Sequence, residues 1–209
     1  YEDQNIIVIN KPSGLLSVPF TLDDQETAFD LVSDYLSTSK PKSNLFIVHR
    51  LDQGTSGVLM FAKSEKIQQL YQNSWNVLAQ KRCYIAYVEG VIRKQKDTIV
   101  SNLNTSNSAH VYSSRTGKKA ITHYEVLERR QNNTIVNVSI ETGRQNQIRV
   151  HLKEIGYPIV GDKKYGAQTN PIKRLGLHAH QLIIKNPTTN ETQIFTAPIP
   201  QSFKIDNNI

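Results

Sequence analysis

One carboxylate in this chain is set apart by its neighbours. Asp52 follows the basic pair His49-Arg50 and precedes the turn-forming run Gly54-Thr55-Ser56-Gly57. Residues 58–62 are apolar throughout and read as a buried strand leading out of that run. A loop carboxylate held against a rigid strand can serve as a nucleophile, a base or a cation-binding group. The plainer alternative is an aspartate that caps a hairpin through an Asx-turn, and the loop taken alone supports either.

Two further segments carry residues able to do chemistry. Residues 81–90, KRCYIAYVEG, alternate as a strand, with Tyr84, Ala86 and Val88 on one face and Cys83, Ile85, Tyr87 and Glu89 on the other. A tyrosine there can face the core or offer its ring to a planar ligand. Residues 141–166, ETGRQNQIRVHLKEIGYPIVGDKKYG, place Ile148, Leu152 and Ile155 at i, i+4 and i+7, a helical stripe stopped by Gly156. Arg149 lies on that helix, where a solvated arginine would be ordinary.

In order and rough spacing, HRLDQGTSG, KRCYIAYVEG and GRQNQIRV resemble the three signature blocks of the RluA-type pseudouridine synthases. YEDQNIIVINKPSGLLSVP resembles that family's opening strand and KPxG turn, and LGLHAHQLIIKNPTTNETQIFTAPIP its closing hairpin, so the likeness runs over residues 1–200. It implies isomerisation of particular uridines in structured RNA, in stem-loops of ribosomal or transfer RNA. The bond from ribose C1′ to uracil N1 breaks, the base turns, and C1′ rejoins at C5, with no net redox change and no cofactor.

By this resemblance Asp52 is the catalytic aspartate, attacking C1′ or removing a proton from C2′. Arg149 pairs with it and keeps it ionised against desolvation. Tyr84 stacks on the uracil and helps remove the C5 proton. Arg50 helps extrude the target nucleotide from its stack. Ile148 packs on the base, and Thr55 and Ser56 fix the turn through side-chain bonds to the backbone. His49 orders the loop as a hydrogen-bond donor, and Arg144 and Lys81 count as RNA contacts. The family's usual GRxHQIR reads here with Asn146 in place of histidine, so a phosphate or turn contact at that position is expected to be weaker.

Two rival functions have distinguishing signs. A catalytically silent RNA-binding relative would lack one of Asp52, Tyr84 and Arg149, and all three are present. A glycoside or nucleoside hydrolase needs a second catalytic carboxylate, for which Glu141 and Asp162 are the nearest candidates. Gly161-Asp162-Lys163-Lys164 otherwise reads as a turn. His178 and His180 share a strand face but lack a third metal ligand, which leaves hydrogen bonding as their expected role and no metal site.

The rest of the chain must position these groups. Its 209 residues are 38% hydrophobic with net charge +7, a balance that favours a polyanionic partner such as RNA. The pairs Lys81-Arg82, Lys118-Lys119, Lys163-Lys164 and Lys173-Arg174 could track its phosphates. A lone cysteine, Cys83, excludes an internal disulfide, fits the cytoplasm and reads as a structural thiol. No apolar run approaches a membrane span, and a monomer is expected.

Strands are predicted over 6–9, 58–62, 83–91, 98–103, 109–112, 120–128, 134–141, 181–185 and 193–196. Helices are predicted over 28–36, with Ala28, Leu31, Val32, Tyr35 and Leu36 inward, and over 65–79, capped by Ser64 with Ile67, Leu70, Tyr71 and Leu78 inward. A third covers 148–155. Strands and helices do not alternate, and hairpin-like pairs dominate, so the class is α+β. The resemblance adds a pseudouridine synthase fold: a long bent mixed, largely antiparallel sheet in two lobes with a central active-site cleft. Residues 1–209 are expected to form a single catalytic domain, with no S4-like module visible.

Overall fold

The computed structural model describes residues 1–19, 26–38 and 44–203. In chain order the elements are β1 (Ile6–Lys11), α1 (Ala28–Thr38), β2 (Phe46–Ile47), β3 (Ser56–Ala62) and α2 (Glu65–Asn73). Then come α3 (Trp75–Leu78), β4 (Ala79–Glu89), β5 (Lys96–Thr105), β6 (Val111–Ser113) and β7 (Lys118–Arg129). The chain continues with β8 (Asn133–Ile140), α4 (Gln147–Glu154), β9 (Leu177–Lys185) and β10 (Thr192–Thr196). The class is therefore α+β, as the pattern predicted. Residues divide into two compact units, Tyr1–Gln80 with Ala179–Pro198, and Lys81–His178 with the segment from Ile199.

In the first unit β3 is buried along its whole length, which is why its sequence shows no polar alternation. It pairs antiparallel with β1, Ile6 opposite Ala62 through Lys11 opposite Gly57, and with β2 at Phe46 and Ile47. β10 returns antiparallel along β9. Gly57, at φ +113, is required: a Cβ there would stand 2.1 Å from the Ala179 carbonyl oxygen of β9. Ile6, Val8, Val58, Met60, Ile67, Tyr71, Leu182 and Ile184 form the core.

The helical stripes overstate what the helices bury. α1 buries Ala28, Val32 and Leu36, whereas Leu31 and Tyr35 are exposed. The helix predicted over 65–79 is broken at Ser74, whose φ −121 and ψ 20 are not helical, and Ala79 already belongs to β4. Ser64 caps α2 as expected, its hydroxyl accepting from the Ile67 N–H, and Ile67 and Tyr71 are buried while Leu70 is exposed.

The second unit is an antiparallel run in the order β4-β8-β7-β5-β6. β4 alternates as predicted but is covered on both faces. Ala86 and Val88 join Val136, Val138, Ile148 and Leu152, while Ile85 and Tyr87 join Ile135, Val160 and Phe203. Residues 109 and 110 are not strand: Ala109 sits at φ 56 in the turn before β6. α4 ends where Gly156, at φ +88, donates its N–H to the Lys153 carbonyl.

Candidate active site

Asp52 is half-buried, and the main chain on either side of it is gripped by the KPSGLLS segment that starts at the last residue of β1. Ser17 accepts from the Leu51 N–H at 3.0 Å and donates to the Leu51 carbonyl at 2.7 Å, all of it buried. The Gln53 carbonyl accepts from the Gly14 N–H at 2.9 Å and from the Lys11 ammonium at 3.1 Å. Ser13 donates to the Gly54 carbonyl at 2.7 Å. Lys11 has no exposed surface, and its ammonium also reaches the Pro12 and Leu15 carbonyls at 2.9 and 2.6 Å. Three carbonyl dipoles match the three donors of an ammonium and offset much of the cost of burying it.

Within the loop the Thr55 N–H closes the turn onto the Asp52 carbonyl at 3.0 Å, with Thr55 and Ser56 buried. His49 orders the loop, but as an acceptor rather than the expected donor in this bond: its Nε2 takes the Met60 N–H at 3.1 Å. Its ring stacks on Trp75, centroids 5.0 Å apart. Nε2 must then be unprotonated, which fixes the proton of the neutral ring on Nδ1. Arg50 is exposed beside it.

In the second unit Arg149 is held by residues that sequence reasoning did not assign to it. Its Nε and Nη2 donate to the two oxygens of Asp162 at 2.7 and 2.8 Å, a bidentate pair in which Asp162 is 2% exposed. Its Nη1 donates to Asn146 Oδ1 at 3.0 Å, and its guanidinium lies 4.9 Å from the Tyr165 ring centroid. Asn146 completes the cage by donating to the Tyr165 hydroxyl at 3.0 Å.

Asn146, at the position where the family's usual block has histidine, is buried, with its side chain engaged by Arg149 and Tyr165. Its φ of 51 is a left-handed conformation that asparagine tolerates better than most side chains. Gln147 secures the same turn: it accepts from Thr142 and the Arg144 N–H and donates to the Ile121 carbonyl and Thr122.

Tyr84 is half-buried and packs against the apolar cluster of the second unit, and Ile148, 5% exposed, belongs to that cluster. Arg144 and Lys81 are exposed. Arg82, expected with Lys81 to track phosphates, is instead buried, donates to the Glu141 carbonyl and braces the turn at Gly143. Burial pushes its pKa down, and likewise pushes the Cys83 thiol up, away from the reactive thiolate. His180 Nδ1 meets the Ala197 carbonyl at 2.8 Å, the hydrogen-bonding role expected of it. Among the described residues no cluster of His, Cys, Asp or Glu could hold a metal ion. The two carboxylates a hydrolase might have used are occupied, Asp162 by Arg149 and Glu141 by His123 at 2.7 Å.

The chain belongs to the RNA pseudouridylate synthase family, whose model matches residues 5–154. It is 33% identical over 209 residues to the RNA pseudouridine synthase YhcT of Bacillus subtilis, covering 98% of this chain and 69% of that protein. To YlyB of the same organism the identity is 37%, covering 96% and 68%. Ribosomal large subunit pseudouridine synthase D of Nitrosomonas europaea is 33% identical, covering 96% and 61%. The human RNA pseudouridylate synthase domain containing 1 and containing 4 structures superpose with TM-scores of 0.76 and 0.77 at 24% identity. They cover 96% and 97% of this chain, and the chain covers 82% and 88% of theirs.

Proposed function

We propose that this protein converts uridine to pseudouridine within folded RNA, in stem-loops of ribosomal or transfer RNA, using Asp52 as its catalytic carboxylate. The observation that carries this reading is the grip on Leu51, Gln53 and Gly54, which fixes the backbone around one half-buried aspartate in a chain of the RNA pseudouridylate synthase family. A reaction centre held in place before substrate arrives avoids reorganisation during the reaction.

The roles follow from the chemistry. Asp52 attacks C1′ or removes the C2′ proton while the bond to N1 breaks. Tyr84 stacks on the uracil and assists removal of the C5 proton after the base has turned. Arg149, fixed by Asp162, Asn146 and Tyr165, supplies a positive charge that stays ionised at any physiological pH. Arg50 and the exposed Arg144 and Lys81 meet the RNA. The enzyme works as a monomer in the cytoplasm, without a cofactor.

The test is to map pseudouridine in ribosomal and transfer RNA from cells with and without the protein, and then to repeat the reaction with purified protein on the RNA that changes. Sites that vanish with the gene and return with wild-type protein, but not with Asp52→Asn, support the reading. Identical maps in both cells overturn it.

A further inference from the structure

A stretch of 27 residues, 98–124, contains no aspartate or glutamate but holds Arg115, Lys118, Lys119, His110 and His123. It builds the outer end of the second unit, β5, β6 and the first half of β7. Register assigns its two faces. Ser101, Leu103, Val111 and Ala120 point inward; Leu103, Val111 and Ala120 pack with Val150 and Tyr165, and Ser101 bonds to His151. The opposite face carries Val100, Asn102 and Asn104 along β5, with Lys119 across from Asn102 and Tyr112 across from Asn104. Val100 is 56% and Tyr112 42% exposed.

Cations rim this face. Lys119 stands on it, Arg115 lies in the β6–β7 turn, and Arg144 reaches the strand end by donating to the Lys119 carbonyl at 3.1 Å. The face ends at His123, whose Nε2 meets Glu141. Everything before that row is apolar, amide, hydroxyl or cationic.

We propose that this open face holds an unpaired stretch of RNA, one base stacked on Tyr112, its edge met by Asn102 and Asn104, and its phosphates met by Lys119, Arg115 and Arg144. An exposed ring flanked by amides and rimmed by cations suits single-stranded nucleic acid, because every base offers a π-face and every linkage a negative charge. A protein partner would leave these cations uncompensated unless it were itself acidic. The proposal rests on the reading that the enzyme acts on RNA, and adds where flanking unpaired nucleotides lie.

The probes are a blunt RNA hairpin and the same hairpin with an oligoadenylate tail of about ten nucleotides on either end. Wild-type protein is expected to bind one tailed form at least about fivefold more tightly than the blunt form, the lower end of what one stacked base contributes. Tyr112→Ala removes that advantage, Tyr112→Phe keeps it, and Lys119→Ala lowers the salt dependence of tailed binding by about 0.7 in log–log slope. Affinity for the blunt hairpin stays unchanged in both Tyr112 variants, which also shows that they are folded.

Equal wild-type affinity for blunt and tailed hairpins overturns the proposal, and so does a tail advantage that survives Tyr112→Ala. Neither result touches the proposed activity, which is scored separately by pseudouridine formation. A tail advantage lost in Tyr112→Ala, in a protein that forms no pseudouridine in any cellular RNA, would sustain the face and sink the activity.

Discussion

At the scale of single residues, the pairing with Asp162 ties Arg149, the side chain proposed to serve the reaction, into the fold. Truncating Arg149 to Met leaves a carboxylate that is 2% exposed without its bidentate partner. Breaking such a pair from one side costs about 3–5 kcal/mol, much of it from the stranded charge. Adding Asp162→Leu to Arg149→Met should recover a good part of that loss in urea unfolding while activity stays absent. If the double variant is no more stable than the single one, the pair is not what the mutation disturbs. Asp52→Asn, by contrast, is nearly isosteric and should abolish turnover while RNA affinity stays within a few-fold; a tenth of normal turnover would remove Asp52 from the chemistry. Tyr84→Phe separates stacking from proton transfer. It should bind RNA normally and slow tritium release from C5-labelled uridine by about 10²- to 10⁴-fold under single turnover. Release at the normal rate would leave Tyr84 only its ring.

At the scale of elements, the clamp between KPSGLLS and the Asp52 loop predicts a variant that damages catalysis without touching RNA. Ser17→Ala leaves the buried N–H and carbonyl of Leu51 without their shared hydroxyl, about 1–3 kcal/mol of stability. It should lower kcat with KM little changed, and Ser17→Thr should restore part of kcat; an effect on KM alone would place the segment against RNA instead. The sequence revealed the two halves of this device separately, as a turn-rich opening and a turn around an aspartate. Their meeting was hidden, because 34 residues part Ser17 from Leu51 and every bond ends on a main-chain atom. Asp162 was hidden for a related reason. Between two glycines its carboxylate looks like turn chemistry, and nothing in the spacing points back 13 residues to Arg149. The strands were legible because alternation and apolar runs record burial directly. The outer residues of α1 were not, since Leu31 and Tyr35 fit the helical period yet stay in solvent.

At the scale of the whole molecule, acid should loosen the second unit through His151. This ring is fully buried, its Nδ1 against Thr122 at 2.9 Å and its Nε2 against Ser101 at 3.0 Å, and burial lowers its pKa below the usual 6.5. A histidine kept neutral in the fold contributes fully above the unfolded value of about 6.5. Below it the unfolded chain takes up the proton first, and stability falls until the lower folded value is reached. Urea unfolding at pH 7.5 and 5.5 should therefore show a larger acid loss for wild type than for His151→Gln, and equal losses would acquit His151. The net charge of +7 should act differently, making RNA affinity fall as salt rises. The grip on the Asp52 loop has an evolutionary corollary. Lys11, Ser13, Gly14 and Ser17 hold carbonyls and an N–H that any amino acid but proline supplies, so the exposed side chain of Gln53 can be exchanged without loosening them. The outward side of this loop is thus open to change in sequence, while the inherited skeleton beneath it goes on presenting the same carboxylate.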